Sequence, residues 1–178
     1  MKYLLGELCQ DKNNTVFIIS GKERRPLQEA VEGIKGLGIA AEQGFYYRWS
    51  DKDDWSMIGE YFDESWRELA SGIMEIYTKR TNGTYIEKKG SAMLWMYRDA
   101  DTEFGKLQAK ELHDHLSGVL KNFPVEILDG KGYVEIRPEG VNKGAMVERI
   151  LNTVALKQPA DFILCIGDDN TDEAMFSI

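Results

Sequence analysis

Apolar and polar positions along this chain change rhythm twice. At the start, Tyr3, Leu4, Leu5 and Leu8 recur at helical spacing over residues 2–10, and a polar turn follows at 11–14. Residues 15–19 are an apolar, β-branched run ending at Ser20-Gly21, which predicts a strand. A short helix is expected over 26–33, with Pro26 near its start. A second strand begins at 39–41 and leads into Phe45-Tyr46-Tyr47. Helices alternating with apolar strands predict an α/β layer on a parallel sheet.

The middle is different. Residues 62–79 carry Trp66, Leu69, Ile73, Ile76 and Tyr77 at helical spacing. Two strands are expected at 84–89 and 91–98 around Gly90. A long helix follows over 103–122, its buried side drawn from Phe104, Leu107, Leu112, Leu116, Val119 and Leu120. Strands at 125–128 and 133–137 turn at Asp129-Gly-Lys-Gly132. Two helices and two hairpins predict a four-stranded antiparallel sheet with helices on one face. The α/β rhythm returns with a helix at 142–151 and a strand at 162–166. The expected organisation is a core (1–49 and 140–178) interrupted by an inserted α/β cap at 50–139.

The densest chemistry lies at the end of the chain. Phe162–Ile166 reads as a buried strand, and Asp168, Asp169, Asp172 and Glu173 crowd the turn after it. Asn170 and Glu173 have capping-box spacing for a final helix. Acids also favour any helix start, because the dipole there is positive. Four of them at the carboxyl end of a strand, where open α/β sheets bind ligands, favour a Mg²⁺ site completed by a phosphate.

Gly167-Asp-Asp-Asn-Thr-Asp-Glu-Ala-Met-Phe176 resembles the last acidic motif of the haloacid dehalogenase-like phosphatases, in the form typical of trehalose-6-phosphate phosphatases. The resemblance extends to Thr15-Val-Phe-Ile-Ile-Ser-Gly21, which looks like the family's second motif. Leu37-Gly-Ile-Ala-Ala-Glu-Gln-Gly-Phe-Tyr-Tyr-Arg48 is similar to the segment after it, and Tyr133-Val-Glu-Ile-Arg-Pro-Glu-Gly-Val-Asn-Lys-Gly144 to the lysine motif. The wording is nearest to the phosphatase-like half of plant-type trehalose-phosphate synthases. This resemblance implies a Rossmannoid core, a parallel sheet flanked by helices, with an inserted cap. The family's nucleophile sits in an Asp-x-Asp-x-Thr motif on a first strand, and no such motif occurs in these 178 residues. That first strand would lie between residues 15–19 and 162–166, so the chain reads as a piece of a longer domain.

By this resemblance Ser20 would donate to a phosphate oxygen, with Gly21 and Lys22 beside it. Lys143 would contact the phosphoryl group, Asp169 and Asp172 would support the catalytic centre, and Asp168 would ligate Mg²⁺. Glu42, Glu87, Lys89, Arg98, Glu135 and Glu139 would recognise the sugar of trehalose 6-phosphate. Taken singly, Ser20 reads as an ordinary turn and Lys143 as a solvated lysine. In the cap, Tyr85, Glu87 and Lys89 alternate with Ile86, and Tyr133, Glu135 and Arg137 with Val134 and Ile136. Alternation alone fits a solvated sheet face; the resemblance turns it into a sugar-gripping one. Three positions depart from the family's wording: Lys22 for arginine, Gln43 for histidine, Arg137 for lysine.

Composition narrows the classes. The net charge of −8 opposes nonspecific binding to nucleic acid or an anionic membrane. Cys9 and Cys165 are the two cysteines, too few for a disulfide framework, so a reducing, cytoplasmic setting is expected. His113, His115 and Trp49, Trp55, Trp66 and Trp95 are expected at the surface and in packing respectively, away from the chemistry. The expected partners are trehalose 6-phosphate and a trehalose-phosphate synthase (glycosyltransferase) domain.

Overall fold

The computed structural model describes residues 2–59 and 63–178. It forms two compact units, Met1–Glu60 with Gly140–Ile178, and Tyr61–Glu139. The expected helix start at Phe62 lies outside the described residues.

The first unit holds α1 (Lys2–Gln10), β1 (Val16–Ile19), α2 (Arg24–Ala30) and β2 (Leu37–Ala41). A 3₁₀ turn, Glu42–Gly44, leads to β3 (Tyr46–Arg48) and the short β4 (Ser56–Met57). The four strands form one sheet in the order β1-β2-β3-β4. Only β1 and β2 are parallel; β3 and β4 run antiparallel, so the sheet is mixed rather than wholly parallel. β2 is buried along its whole length, as a strand covered on both faces must be. Leu27, Leu37, Ile39 and Ala41 form the core on one side, and Ala40, Tyr47 and Met146 on the other.

The apolar stripe of α1 is not covered: no residue of the helix is fully buried, and Tyr3, Leu4 and Leu8 face outward. A larger correction concerns the predicted strand at 162–166. The segment forms no ladder, and its apolar side chains are exposed, Phe162 by 79% and Ile166 by 81%. Cys165, expected inside that strand, is half-buried with a free thiol, as is Cys9. A strand exists through hydrogen bonds to a neighbour, and among the described residues β1 is an edge strand with β2 as its one partner. The apolar run records a preference for a sheet that no neighbour among the described residues satisfies.

The second unit is built from α3 (Trp66–Arg80), β5 (Tyr85–Lys88), β6 (Met93–Met96), α4 (Thr102–Leu120), β7 (Val125–Gly130) and β8 (Tyr133–Pro138). Its sheet is antiparallel throughout, in the order β5-β6-β8-β7. Trp66, Ala70, Met74 and Tyr77 of α3 meet Leu112, Leu116 and Leu120 of α4 over Met93, Trp95, Val134 and Ile136 of the sheet. Leu69 and Ile76 of the α3 apolar spacing are exposed, as are Phe104, Leu107 and Val119, expected on the buried side of α4. The buried stripe of α4 runs instead through Gly105, Gln108, Ala109, Leu112, Leu116 and Leu120, an i, i+3, i+4 track that leaves the other apolar positions off its line. All four tryptophans pack as expected: Trp66 and Trp95 are fully buried, Trp49 meets Phe17 edge to face, and Trp55 lies against the first unit's core. His113 is half-buried at 3.1 Å from Asp129, and His115 is exposed.

The chain completes the first unit with α5 (Lys143–Ala155) and a 3₁₀ segment, Asn170–Ser177, in place of the expected final α-helix. Asn142 caps α5 by accepting from the Ala145 N–H at 2.9 Å.

Candidate functional site

Lys143 opens α5, and its Nζ donates to Asp172 Oδ1 at 2.5 Å. Both residues are buried, Lys143 to 8% exposure and Asp172 to 5%. The second carboxylate oxygen of Asp172 accepts from the Asp168 and Asp169 N–H groups, at 3.0 Å each. Asp172 therefore binds one ammonium and two amides at once. The Lys143 hydrogen bond is the main reason its carboxyl lies below the ordinary carboxylate value; burial opposes this, and the amides of Asp169 and Asp168 and the Lys143 charge reinforce it. A close approach makes the arrangement possible: a Cβ on Gly144 would run into the Ala174 carbonyl.

The helix signal here was misplaced by one residue. Asn170 and Glu173 were expected to form the capping box, but the observed pair is Asp169 and Asp172. Asp169 is the N-cap, and Asp172 at the third helical position reaches back to its N–H. Spacing alone allows both pairs; the bond between Asp172 and Lys143 selects the second.

Ser20 leaves β1 in a turn bound to the 3₁₀ turn Glu42–Gly44. The Ser20 N–H donates to the Ala40 carbonyl, Gln43 N–H to the Ser20 carbonyl and Glu42 N–H to the Lys22 carbonyl, each at 2.9 Å. Ser20 Oγ accepts from the Lys22 N–H at 3.2 Å. The side-chain amide of Gln43 lies over Gly21. Glu42 and Gln43 both hold left-handed backbone, φ 50° and 62°, a conformation that non-glycine residues adopt at a cost. Gly44 continues it at φ 102°, pressed against Met146 and near the Asn142 carbonyl. The 3₁₀ turn thus touches both the Ser20 turn and the start of α5. It ties Ser20, Gly21, Lys22 and Glu42 to the end of the unit that holds Lys143, Asp168, Asp169 and Asp172.

In the second unit, the register places Glu87, Leu94, Glu135 and Leu128 in one row across the sheet. Ile86, Val134 and Ile136 pack toward the helices, so Tyr85, Glu87, Tyr133, Glu135 and Arg137 belong to the other face. Glu135 is buried and Glu87 half-buried. Lys89 Nζ stands 3.8 Å from Glu87 Oε1. Arg137 is bound to Glu126 of the adjacent strand at 2.7 Å. Glu139 is exposed beyond β8, at the same end of the sheet as Lys89. Arg98 is not brought to this group: it is exposed beyond the opposite end of β6, beside Gly132.

The profile of the trehalose-phosphatase family matches residues 1–178. The chain belongs to that family. It is 46% identical over 173 residues to a probable α,α-trehalose-phosphate synthase (UDP-forming), number 7, of Arabidopsis thaliana, covering 97% of this chain and 20% of that protein. The C-terminal domain of trehalose-6-phosphate phosphatase from C. albicans superposes with a TM-score of 0.85 at 36% identity, over 98% of this chain and 62% of that one. A haloacid dehalogenase-like hydrolase from Bacteroides thetaiotaomicron, 11% identical, shares the fold with a TM-score of 0.70, over 98% of this chain and 76% of that one. The chain therefore spans about a fifth of the length of its curated plant relative.

Two residues outside the predicted site, Gln43 and Asn142, take part in this trehalose-phosphatase arrangement. Gln43 stands out as a departure from the family's wording, yet its backbone N–H bonds to the Ser20 carbonyl and its side-chain amide lies over Gly21. Asn142 had a legible signal, a capping residue directly before an apolar helical stretch. Among the described residues no three His, Cys, Asp or Glu side chains converge as a metal cage. Asp172 is committed to Lys143 and the two amides, whereas the Asp168 carboxylate is exposed. A carboxylate left free in this way is the type of oxygen donor that Mg²⁺ takes, commonly one or two of them with phosphate and water completing the shell.

Proposed function

We propose that these residues are the phosphate- and sugar-holding part of a trehalose 6-phosphate phosphatase domain, which hydrolyses trehalose 6-phosphate to trehalose and phosphate. The supporting observation is the buried Lys143–Asp172 pair, fixed by the Asp168 and Asp169 amides. A buried ammonium held in place by one carboxylate is a point charge ready for a phosphoryl group. Ser20 would donate its hydroxyl to a phosphate oxygen, beside Gly21 and Lys22. Asp169, by capping the final segment, and Asp172, by its bond to Lys143, would keep that lysine aimed. Asp168 would hold Mg²⁺, which when bound would offset phosphate charge. The unit Tyr61–Glu139 would act as the cap, with Glu87, Lys89, Glu135 and Glu139 on trehalose hydroxyls; Glu42 is assigned to sugar recognition by the same reading. Arg98, set apart on the sheet, would contact only a distal part of the ligand.

The attacking aspartate is a separate requirement, since the sequence contains no Asp-x-Asp-x-Thr. The proposal places it on a strand paired with β1 beside residues 162–166. A glycosyltransferase domain in the same polypeptide and a reducing, cytoplasmic location belong to the same reading; both cysteines are free, and no helix among the described residues is long and apolar enough to cross a membrane. A noncatalytic, regulatory reading draws on the same missing motif: such a module would bind the sugar phosphate without turning it over.

Phosphate release from trehalose 6-phosphate with Mg²⁺ distinguishes these readings. The 178-residue chain alone should release none, and a polypeptide joining it to an Asp-x-Asp-x-Thr strand should release it. Turnover by the chain alone, abolished in Asp168→Ala, would contradict the need for the aspartate. Binding without turnover in the joined polypeptide would favour the regulatory module.

A further inference from the structure

Arg67, in the first turn of α3, reaches the hairpin between β5 and β6. Its Nη1 donates to the Lys89 carbonyl at 3.2 Å and its Nη2 to the Gly90 carbonyl at 2.5 Å. The two acceptors belong to consecutive residues, so one planar guanidinium spans the turn in a fork that no other side chain matches. The arginine is itself restrained. Its Nε lies 3.3 Å from Glu64 Oε1, near enough for an ion pair although too poorly aligned for a hydrogen bond. Its guanidinium also stands over the Trp66 ring, 4.9 Å from the centroid.

The turn is already closed by the Lys89 N–H donating to the Ala92 carbonyl at 2.9 Å. It therefore does not need an arginine in order to form. What the arginine adds is a fixed position for one backbone segment, the one carrying Lys89. The Lys89 side chain is largely buried and lies 3.8 Å from the Glu87 carboxylate, and Glu87 shares its row with Glu135. Moving the Lys89 and Gly90 carbonyls would shift the Lys89 stem, and with it the ammonium and its spacing from both acids. Preorganisation of this kind is commonly set by the residues behind a binding group.

We propose that Arg67 is a positioning residue for sugar recognition, acting through the turn that carries Lys89. The inference rests on the reading of Glu87 and Lys89 as sugar-binding groups. Arg67 does not touch the ligand in this account; it sets where Lys89 stands. Its contribution should therefore appear with a sugar phosphate and vanish with bare phosphate.

The test is equilibrium binding of trehalose 6-phosphate and of inorganic phosphate to the 178-residue chain, with NMR of the Lys89 and Gly90 amides. Arg67→Met keeps much of the stem but loses the fork, and should weaken trehalose 6-phosphate roughly five- to tenfold, the net scale of one ordinary hydrogen bond. Phosphate affinity should stay unchanged, and the shifted amides should cluster at the turn. Arg67→Lys supplies one donor group in place of the fork and should fall between wild type and Arg67→Met, which guards against a variant that simply unfolds. Lys89→Ala is the reference. If Lys89→Ala weakens trehalose 6-phosphate and neither Arg67 variant does, the positioning role is wrong and the sugar face stands. If Lys89→Ala and Glu87→Ala both bind like wild type, or wild type binds no trehalose 6-phosphate, the sugar face and the positioning role fall together. Equal losses for phosphate and sugar phosphate in Arg67→Met would make the arginine a purely structural brace and overturn the proposal.

Discussion

Lys143 and Asp172 form a buried ion pair across the start of α5 and the final 3₁₀ segment, with an Nζ–Oδ1 separation of 2.5 Å. The pair joins two stretches of chain 29 residues apart in sequence. Removing one partner strands the other charge in a dry setting. Asp172→Asn should therefore destabilise the first unit by about 3 kcal/mol, measured by denaturant titration. Acid should act in the same direction. The folded carboxyl lies below its ordinary value of 3.8, so its stabilisation is complete above that value and is lost as pH falls through the depressed folded one. The Asn variant should lose this part of the acid sensitivity. A wild type and a variant with the same acid profile would show that the pair carries no linkage.

At the neighbouring turn, Gln43 holds φ 62° and keeps its side-chain Oε1 buried with no hydrogen-bond partner. Left-handed backbone costs a residue with a Cβ about 1–2 kcal/mol, and an unpartnered buried acceptor adds to it. Gln43→Gly removes both costs while keeping the N–H that bonds to Ser20. Thermal melting should show a neutral to slightly raised midpoint, with weakened phosphate binding because the amide over Gly21 is gone. A drop of several degrees would mean that the Gln43 side chain supports the fold more than the site.

These two sites show how differently sequence signals survive folding. Sheet alternation in the second unit was legible: Ile86, Val134 and Ile136 point to the helices because each strand's period of two matches a half-buried face. The grouping of Lys143 with Asp168, Asp169 and Asp172 was legible only through motif resemblance. Nothing in the spacing of Lys143 predicts a partner 29 positions away. The stripe of α4 was rotated because Phe104, Leu107 and Val119 are apolar enough to compete with Gly105, Gln108 and Ala109, and packing against α3 chose the smaller residues. Arg98 was grouped with Glu87 by resemblance, but the strand that would have carried it along the face ends at Met96.

Residues 162–166 illustrate the limit of pattern reading, and their backbone gives a direct prediction. With no ladder partner among the described residues, their amides should exchange with solvent far faster than those of Met93–Met96, which pair on both sides. Hydrogen exchange by mass spectrometry would resolve the difference. Equal protection in the two segments would show that 162–166 finds a neighbour in solution, in this chain or in a second copy.

The most direct measurement of the central claim compares two substrates in a polypeptide joining this chain to an Asp-x-Asp-x-Thr strand. Steady-state kinetics of Glu87→Ala would be followed with trehalose 6-phosphate and with p-nitrophenyl phosphate. Glu87 is proposed to hold sugar hydroxyls by contacts that change little between ground and transition states. Its loss should raise KM for trehalose 6-phosphate more than it lowers kcat. It should leave p-nitrophenyl phosphate hydrolysis nearly unchanged, because that substrate has no trehalose to grip. Lys143→Ala, facing the phosphoryl group, should depress kcat for both. Equal damage to both substrates by Glu87→Ala would contradict the account, leaving the sheet face structural and the trehalose assignment without its residues.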